Sequence, residues 1–117
     1  MNKDDLIYIG HMLDMSLKAL DKLRDKNRRD YDQDENLRMA LAHLIQIIGE
    51  AARHVSPRFQ EEHPEIPWRN IIGMRNKVVH DYLHVDYDLV WDVVSVNLPV
   101  LVSELEKVTP AEKSDEG

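Results

Sequence analysis

Residues 35–55, ENLRMALAHLIQIIGEAARHV, contain the pattern that decides the fold. Apolar residues recur in this stretch every three or four positions, which is the spacing of one face of an α-helix, whereas a strand would alternate. The pattern predicts a long amphipathic helix that ends near residues 56–57. The apolar face consists of Leu37, Leu41, Leu44, Ile45, Ile48, Ala52 and Val55.

The segment before this helix carries a second apolar stripe at the same spacing. It predicts a first helix over about residues 3–26, opened by Asn2, because an Asn side chain can accept a hydrogen bond from the first helical turn. Residues 27–34 are polar and acidic, and we expect them to form a linker between the two helices. The stripe of the first helix consists of Leu6, Ile9, Leu13, Leu17, Leu20 and Leu23.

Proline and capping residues divide the chain after residue 55. Ser56 is expected to cap a short helical turn over Pro57–Glu62, because proline is tolerated at the first position of a helix. By the same rule, Pro67 is expected to begin a helix that runs to about His80.

The last helix is predicted to start at Asp86, a suitable capping residue. Pro99 lies inside its apolar pattern and removes one backbone hydrogen bond, so we expect a kink over residues 95–99. Residues 109–117 are small, polar and charged, and we expect them to be disordered. The sequence therefore predicts an all-α domain over residues 1–108, an antiparallel bundle of about four to five helices with a kinked C-terminal helix.

Length and composition limit the class of protein. The 117 residues with 43% hydrophobic content suit one domain with its own core. The absence of cysteine excludes disulfides, thiolate nucleophiles and cysteine metal sites. Neither an apolar run long enough to span a membrane nor a secretory signal is visible, so we expect a cytoplasmic protein without membrane contact.

The charge distribution points to the middle of the chain. The net charge of −7 argues against a general nucleic-acid-binding protein. Residues 53–80, however, carry 5 positive and 3 negative side chains, whereas both flanking segments are net negative. An anionic ligand is therefore expected beside this stretch. Its positive residues are Arg53, Arg58, Arg69, Arg75 and Lys77.

Residues 75–82, RNKVVHDY, form the densest group of reactive side chains. Arg75 offers a planar fork for phosphate oxygens, and His80 can transfer a proton near neutral pH, so the two could cleave an RNA phosphodiester without a metal. Asn76 and His80 share a helical face, whereas Arg75 and His80 diverge by about 140°. Arg75 and His80 can act on one phosphate only if the Arg75 side chain reaches around the helix, if the helix ends at His80, or if a second chain completes the site.

An ordinary structural role remains open for the same residues. Arg75 could pair with a carboxylate such as Asp81, while His80 interacts with the carbonyl groups at the helix end. A metal site is not expected, because His80 and His84 are four residues apart but lack a third ligand at a convincing spacing. No cofactor motif occurs in the chain.

The run from Pro64 to Tyr82, PEIPWRNIIGMRNKVVHDY, closely resembles the HepT family within the HEPN superfamily. Residues 47–52, IIGEAA, and the Val85-Asp86 and Val90-Trp91 pairs are similar to that family as well. The resemblance extends over about residues 3–107, and its R-x4-H-x-Y motif lies between the proline-opened helix and the last helix, as in the family.

The resemblance implies a toxin of a type VII-like toxin–antitoxin pair, a dimeric and metal-independent endoribonuclease. Arg75 and His80 correspond to the ribonuclease centre, and Asn76 is the polar residue that follows the arginine. Tyr82 corresponds to the residue that the antitoxin, an MntA-like minimal nucleotidyltransferase, modifies with AMP.

Two other functions remain open from the sequence. The chain could be a non-catalytic subunit that binds nucleotide or substrate for a minimal nucleotidyltransferase, with Arg75 only holding phosphate. It could also be an all-α scaffold without a site of its own. A nucleotidyltransferase encoded beside this chain would favour the toxin over the scaffold.

Overall fold

A computed structural model describes residues 3–81 and 84–109, with the backbone alone at residues 80 and 81. The predicted all-α fold is confirmed, and the described part adds only one pair of short strands. The elements are α1 (Lys3–Leu23), α2 (Arg28–Asp32), α3 (Glu35–His54), α4 (Pro57–Glu62), α5 (Trp68–Val78), β1 (Val79–Asp81), β2 (His84–Val85), α6 (Tyr87–Asp92), a π-helical turn (Val93–Asn97) and α7 (Leu98–Val108).

Helices α1 and α3 pack against each other in opposite directions. The buried carboxylate of Asp5, near the start of α1, accepts hydrogen bonds from the backbone N–H of Ser56 at 2.8 Å and from its hydroxyl at 2.7 Å. Ser56 follows the end of α3, so the start of α1 lies beside the end of α3. The hydroxyl of Ser56 also accepts from the N–H of Phe59 at 3.2 Å, which confirms the predicted cap of α4.

The segment predicted as a linker contains helix α2, and α1 ends three residues earlier than predicted. Asp25 has a φ of 61°, which takes the backbone out of the right-handed helix. Asn27 and Asp30 then form a reciprocal capping box, with hydrogen bonds of 2.8 and 3.0 Å. Tyr31 is fully buried, so this polar segment contributes a residue to the core.

Helix α5 ends at Val78 rather than at about His80. The next residue, Val79, has extended backbone angles (φ −119°, ψ 100°) and begins strand β1. Strand β1 pairs antiparallel with β2, with Val79 opposite Val85 and Asp81 opposite His84. The described chain after α5 therefore begins as a strand and not as a further helical turn.

The last helix is interrupted in the place where a kink was predicted. The predicted cap is confirmed, because the Asp86 carboxylate accepts from the N–H of Leu89 at 3.0 Å. Over the π-helical turn, the N–H of Leu98 donates to the carbonyl of Val93, five residues earlier. This wider turn directly precedes Pro99, which has no N–H to donate. The predicted disorder of residues 109–117 falls almost wholly outside the described residues and stays a prediction.

The core lies between α3 and the helices on either side of it, α1 and α5, with the last helix closing the bundle. Both tryptophans pack within the fold: Trp68 is buried and donates its indole N–H to the carbonyl of His63 at 3.0 Å, and Trp91 packs against Tyr31. Among the described helices, none combines the length and apolarity needed to cross a bilayer.

Candidate active site

Arg75 and Asn76 lie in the last turn of α5, and both are exposed to solvent. The buried face of the same helix anchors this turn, because Met74 and Val78 on either side belong to the core. The two polar side chains therefore project from a rigid helical backbone into solvent, where a ligand can reach them.

Gly49 of α3 sets the position of the turn that carries Arg75. A Cβ atom at Gly49 would lie 3.2 Å from the carbonyl oxygen of Ile71 and 4.0 Å from the Cβ of Arg75. The first distance is shorter than an ordinary van der Waals contact, so glycine at this position lets the two helix backbones approach more closely than a side chain would. The glycine in the IIGEAA stretch thus allows α3 and α5 to pack closely beside the motif.

Helices α3 and α5 run in opposite directions. The start of α5 is near the end of α3, because Trp68 packs edge-on against Phe59 of α4, with ring centroids 6.1 Å apart. The end of α5 is near the start of α3, because the chain that follows it reaches Tyr31 and Arg38 through Tyr87. Arg75 therefore lies where the middle of α3 and the last turn of α5 meet.

The end of α5 removes the angular conflict between Arg75 and His80. The divergence of about 140° applies only if the helix continues through His80, whereas the helix ends at Val78 and His80 lies in an extended strand. The backbone of His80 therefore follows the turn of Arg75 after only one intervening strand residue. The side chain of His80 is outside the described part of the structure, and so is Tyr82.

One backbone hydrogen bond closes the segment that contains His80 and Tyr82. The N–H of Asp86 donates to the carbonyl of Val78 at 2.7 Å, so the chain returns to the end of α5 before α6 begins. The strand pair and this bond hold both ends of residues 79–85 at the last turn of α5.

The positive residues of the stretch 53–80 fall into two groups, those with a described carboxylate partner and those without one. Arg53 is bonded to Glu50 at 2.6 Å and Arg58 to Glu62 at 3.4 Å. The other three are exposed, and none forms an ion pair with a carboxylate whose side chain the structure describes. The side chain of Asp81, the alternative partner suggested for Arg75, is not among those described. The group without described partners consists of Arg69, Arg75 and Lys77.

A cluster of aromatic and arginine side chains supports α6 from the side of α2. The hydroxyl of the buried Tyr31 donates to the carbonyl of Tyr87 at 2.6 Å, and burial raises the pKa of Tyr31 above its ordinary value. The guanidinium of Arg28 lies 5.6 Å from the Tyr31 ring and 5.7 Å from the Trp91 ring, and it pairs with Asp88. The sequence did not predict this cluster, although the capping box of Asn27 and Asp30 is a local signal for helix α2.

An open groove of about 460 Å³ separates α5 from the π-helical turn and α7. Lys77 lines it on the α5 side, and the strongly exposed Val96 and Val100 lie on the opposite side, with 64% and 62% of their surface exposed. Within the described residues, no group of three His, Asp or Glu side chains is placed to share a metal ion.

The chain matches one family of ribonucleases along most of its length. The family model "Ribonuclease HepT-like" matches residues 13–108. A protein of Thermococcus cleftensis named "Probable ribonuclease HepT" is 37% identical over 79 residues, 68% of this chain and 72% of that protein. No solved structure matches significantly.

Two further relatives match over almost their whole length, and both carry the name "Putative RNase". The protein of Caldanaerobacter subterraneus subsp. tengcongensis is 29% identical over 106 residues, which cover 91% of this chain and 95% of the relative. That of Methanocaldococcus jannaschii is 29% identical over 109 residues, which cover 92% of this chain and 100% of the relative.

Proposed function

The chain belongs to the HepT-like family of ribonucleases, and from this premise we propose that it is a metal-independent endoribonuclease whose catalytic residues are Arg75, Asn76 and His80. The observation that carries the proposal is the position of Arg75. It is exposed at the end of a rigid helix, without a described carboxylate partner, and its turn leads directly into the strand that contains His80.

These three residues divide the chemistry of phosphodiester cleavage between them. His80 takes the proton of the ribose 2′-hydroxyl as the oxygen attacks phosphorus, or returns a proton to the departing 5′-oxygen. Arg75 donates to the phosphate oxygens and stabilises the extra negative charge of the phosphorane. Arginine suits the stabilisation of the phosphorane because it stays charged at every relevant pH. Asn76 orients the imidazole of His80 or the 2′-hydroxyl.

We also propose that the chain is the toxin of a type VII-like toxin–antitoxin pair and that its partner is an MntA-like minimal nucleotidyltransferase. The partner transfers AMP from ATP to the hydroxyl of Tyr82, with release of pyrophosphate. Tyr82 lies two residues after His80, so the attached adenylate adds bulk and a phosphate beside the site. That phosphate competes with RNA for Arg75.

The proposed active form is a homodimer with two-fold symmetry. The exposed Val96 and Val100 support this proposal, because they present apolar surface beside a groove that Lys77 borders from the motif helix. In such a dimer the two motifs face one shared cleft. A monomeric mass in solution scattering at micromolar concentration contradicts the dimer.

The second candidate is a non-catalytic subunit that binds nucleotide for the nucleotidyltransferase. It is favoured by the same exposure of Arg75, since a phosphate needs only this cation to be held. Growth inhibition separates the two functions, because expression of the toxin without its partner arrests growth, and His80→Ala abolishes the arrest while the fold is retained. A non-catalytic subunit gives no arrest that depends on His80.

A further inference from the structure

Gly73 lies on the outer face of α5 with open space above it. Apart from its chain neighbours and the backbone of its own helix, a Cβ atom added at Gly73 would meet nothing within 4 Å. Residues three and four positions away are its neighbours on the helix surface. All four of them are exposed, and they are Arg69, Asn70, Asn76 and Lys77. The helix backbone at Gly73 is therefore open toward the solvent side.

Asn76 and Lys77 are the side chains that border this opening. Side chains of an α-helix lean toward its N-terminus, so each covers the turn before its own Cα atom. Asn76 and Lys77, three and four residues after Gly73, therefore lean toward it. Arg69 and Asn70 precede Gly73 and lean away from it, toward the start of α5. We call the surface formed by Gly73, Asn76 and Lys77 the Gly73 patch.

The charge of the Gly73 patch suits an anion. Lys77 supplies a positive charge, and the amide of Asn76 offers two N–H donors. Lys77 forms no ion pair with a carboxylate whose side chain the structure describes, and helix α5 contains no acidic residue. In a chain of net charge −7, the patch is a local excess of positive charge, and a phosphate group matches it.

The packing of α5 gives no reason for a glycine at position 73. At Gly49 a Cβ atom would lie 3.2 Å from the carbonyl oxygen of Ile71, whereas at Gly73 it would meet nothing. Glycine inside a helix lowers the stability of the helix relative to alanine. A use of glycine that does not depend on packing is the close approach of a ligand to the backbone.

We propose that the Gly73 patch binds the sugar–phosphate backbone of RNA outside the bond that is cleaved. Lys77 donates to a phosphate oxygen, and the glycine lets the strand lie against the helix. The inference rests on the proposed ribonuclease function and extends it to a neighbouring nucleotide. Val78, five residues after Gly73 and about 7.5 Å further along the helix axis, leads into the strand that contains His80. An RNA strand that follows this axis from the patch therefore reaches the candidate catalytic residues.

The same charge fits RNA better than a second copy of the chain. A two-fold interface brings a surface patch against its own copy, so it would set the cation of Lys77 against the same cation of the partner. The cores of protein interfaces are also poor in charged residues. A phosphate backbone meets these cations without repulsion and gains affinity by releasing its counterions.

The experiment measures RNA binding and folding on the same variant. The probe is a single-stranded oligoribonucleotide with a fluorescent label and 2′-O-methyl groups, which the proposed reaction cannot cleave. Gly73→Leu places a branched side chain over the open backbone. It is expected to weaken binding about fivefold or more, because the phosphate loses its hydrogen bond to Lys77. Leucine favours a helix more than glycine does, so the variant should also unfold at a higher urea concentration than the wild type.

Gly10→Leu is the matched control. A Cβ atom added at Gly10 in α1 also meets nothing within 4 Å, but none of the residues three and four positions away is a cation. The variant should gain stability for the same reason and bind the probe as tightly as the wild type. These neighbours of Gly10 are Leu6, Ile7, Leu13 and Asp14.

Lys77→Gln tests the phosphate contact itself. The loss of one such contact should lower the slope of log affinity against log salt concentration by about 0.7. Gly10→Leu should keep the slope of the wild type. An unchanged slope in Lys77→Gln overturns the contact.

The outcomes separate the Gly73 patch from the catalytic proposal. Equal probe affinity of Gly73→Leu and the wild type overturns the patch. A changed molecular mass of Gly73→Leu in solution scattering, without a loss of probe binding, also overturns it and makes this face a surface between copies. Probe binding that depends on Gly73 in a protein that does not cleave RNA supports the patch and removes the proposed activity. Cleavage that depends on His80, with probe binding indifferent to Gly73, supports the activity and removes the patch.

Discussion

The N–H of Asp86 donates a 2.7 Å hydrogen bond to the carbonyl of Val78, while its carboxylate caps α6 through the N–H of Leu89. Asp86 therefore connects the end of α5 to the start of α6 and encloses the segment of His80 and Tyr82 between them. A change at Asp86 is expected to affect the candidate site as well as the stability of the fold.

Asp86→Ala removes the cap and is expected to lower the free energy of unfolding by about 1 kcal/mol. Asp34→Ala is the matched control, because Asp34 caps α3 through Leu37 at the same distance of 3.0 Å, while its own N–H donates to the carbonyl of Tyr31 in α2 and not to α5. Urea unfolding should show a similar decrease in the free energy of unfolding for the two variants. The rate of RNA cleavage should fall mainly in Asp86→Ala. Equal cleavage by both variants argues against a positioning role of Asp86.

Gly49→Ala tests the close approach of α3 to the turn of Arg75. A methyl group there meets the Ile71 carbonyl at 3.2 Å, and a backbone atom cannot rotate away, so the helices must shift. Gly10→Ala in α1 meets nothing within 4 Å and should gain up to about 1 kcal/mol from helix propensity. We expect Gly49→Ala to be less stable than Gly10→Ala by about 1–2 kcal/mol in urea unfolding.

Cleavage should distinguish the two glycine variants even more clearly than stability does. A shift of α5 displaces Arg75 from the phosphate, and small displacements of a catalytic group lower rates strongly. Gly10→Ala should cleave RNA at the wild-type rate. An equal gain in stability for both variants, with unchanged cleavage, contradicts the packing described for Gly49.

The buried Tyr31 is expected to make the fold less stable at alkaline pH. Burial raises its pKa above the ordinary value of about 10. Between about pH 10 and the raised folded value, the unfolded chain loses the phenol proton and the folded chain keeps it, so stability is present below pH 10 and falls above it. Tyr31→Phe should unfold about 1 kcal/mol more easily at pH 8, because the hydrogen bond to Tyr87 is lost.

The measurement is urea unfolding of both proteins at pH 8 and pH 11. The wild type should lose more stability over this interval than Tyr31→Phe, which has no proton to lose at this position. A steeper fall in the variant shows that the buried phenol is not the group that titrates.

Patterns among neighbouring residues predicted the elements that neighbouring residues stabilise. The apolar stripe of residues 37–55 and the caps at Ser56 and Asp86 depend on neighbours within four residues, and the structure confirms them. Helix α2 was missed although its capping box of Asn27 and Asp30 is a local signal, and the partner of its one apolar side chain, Tyr31, is Tyr87, 56 residues away. No periodicity within residues 27–34 reveals such a partner.

The residue at which α5 ends also depends on contacts that local sequence patterns do not reveal. Val78 and Val79 are β-branched residues that weaken a helix, but the extended conformation that follows is fixed by pairing with His84 and Val85. Arg75 and Asn76 were proposed from the density of reactive side chains and from family resemblance, whereas the close approach of Gly49 to their helix could be seen only from the position of Ile71.

Tyr82 is expected to carry one or more AMP groups after co-expression with the nucleotidyltransferase. Intact mass should increase by whole adenylates in the wild type and in Tyr87→Phe, and it should not increase in Tyr82→Phe. Modified protein should stay inactive after the partner is removed, because the adenylate is covalent. An unmodified wild-type chain that is nevertheless neutralised contradicts the covalent switch and leaves steric masking by the partner.

The most direct test of the central claim is cleavage of single-stranded RNA by purified protein in the presence of a chelator. The wild type should cleave, and Arg75→Ala and His80→Ala should each cleave at least about 100-fold more slowly with unchanged circular dichroism. Arg69→Ala, which removes an exposed arginine from the same helix, should stay within about threefold of wild type. If either Arg75→Ala or His80→Ala cleaves as fast as wild type, the catalytic assignment is wrong.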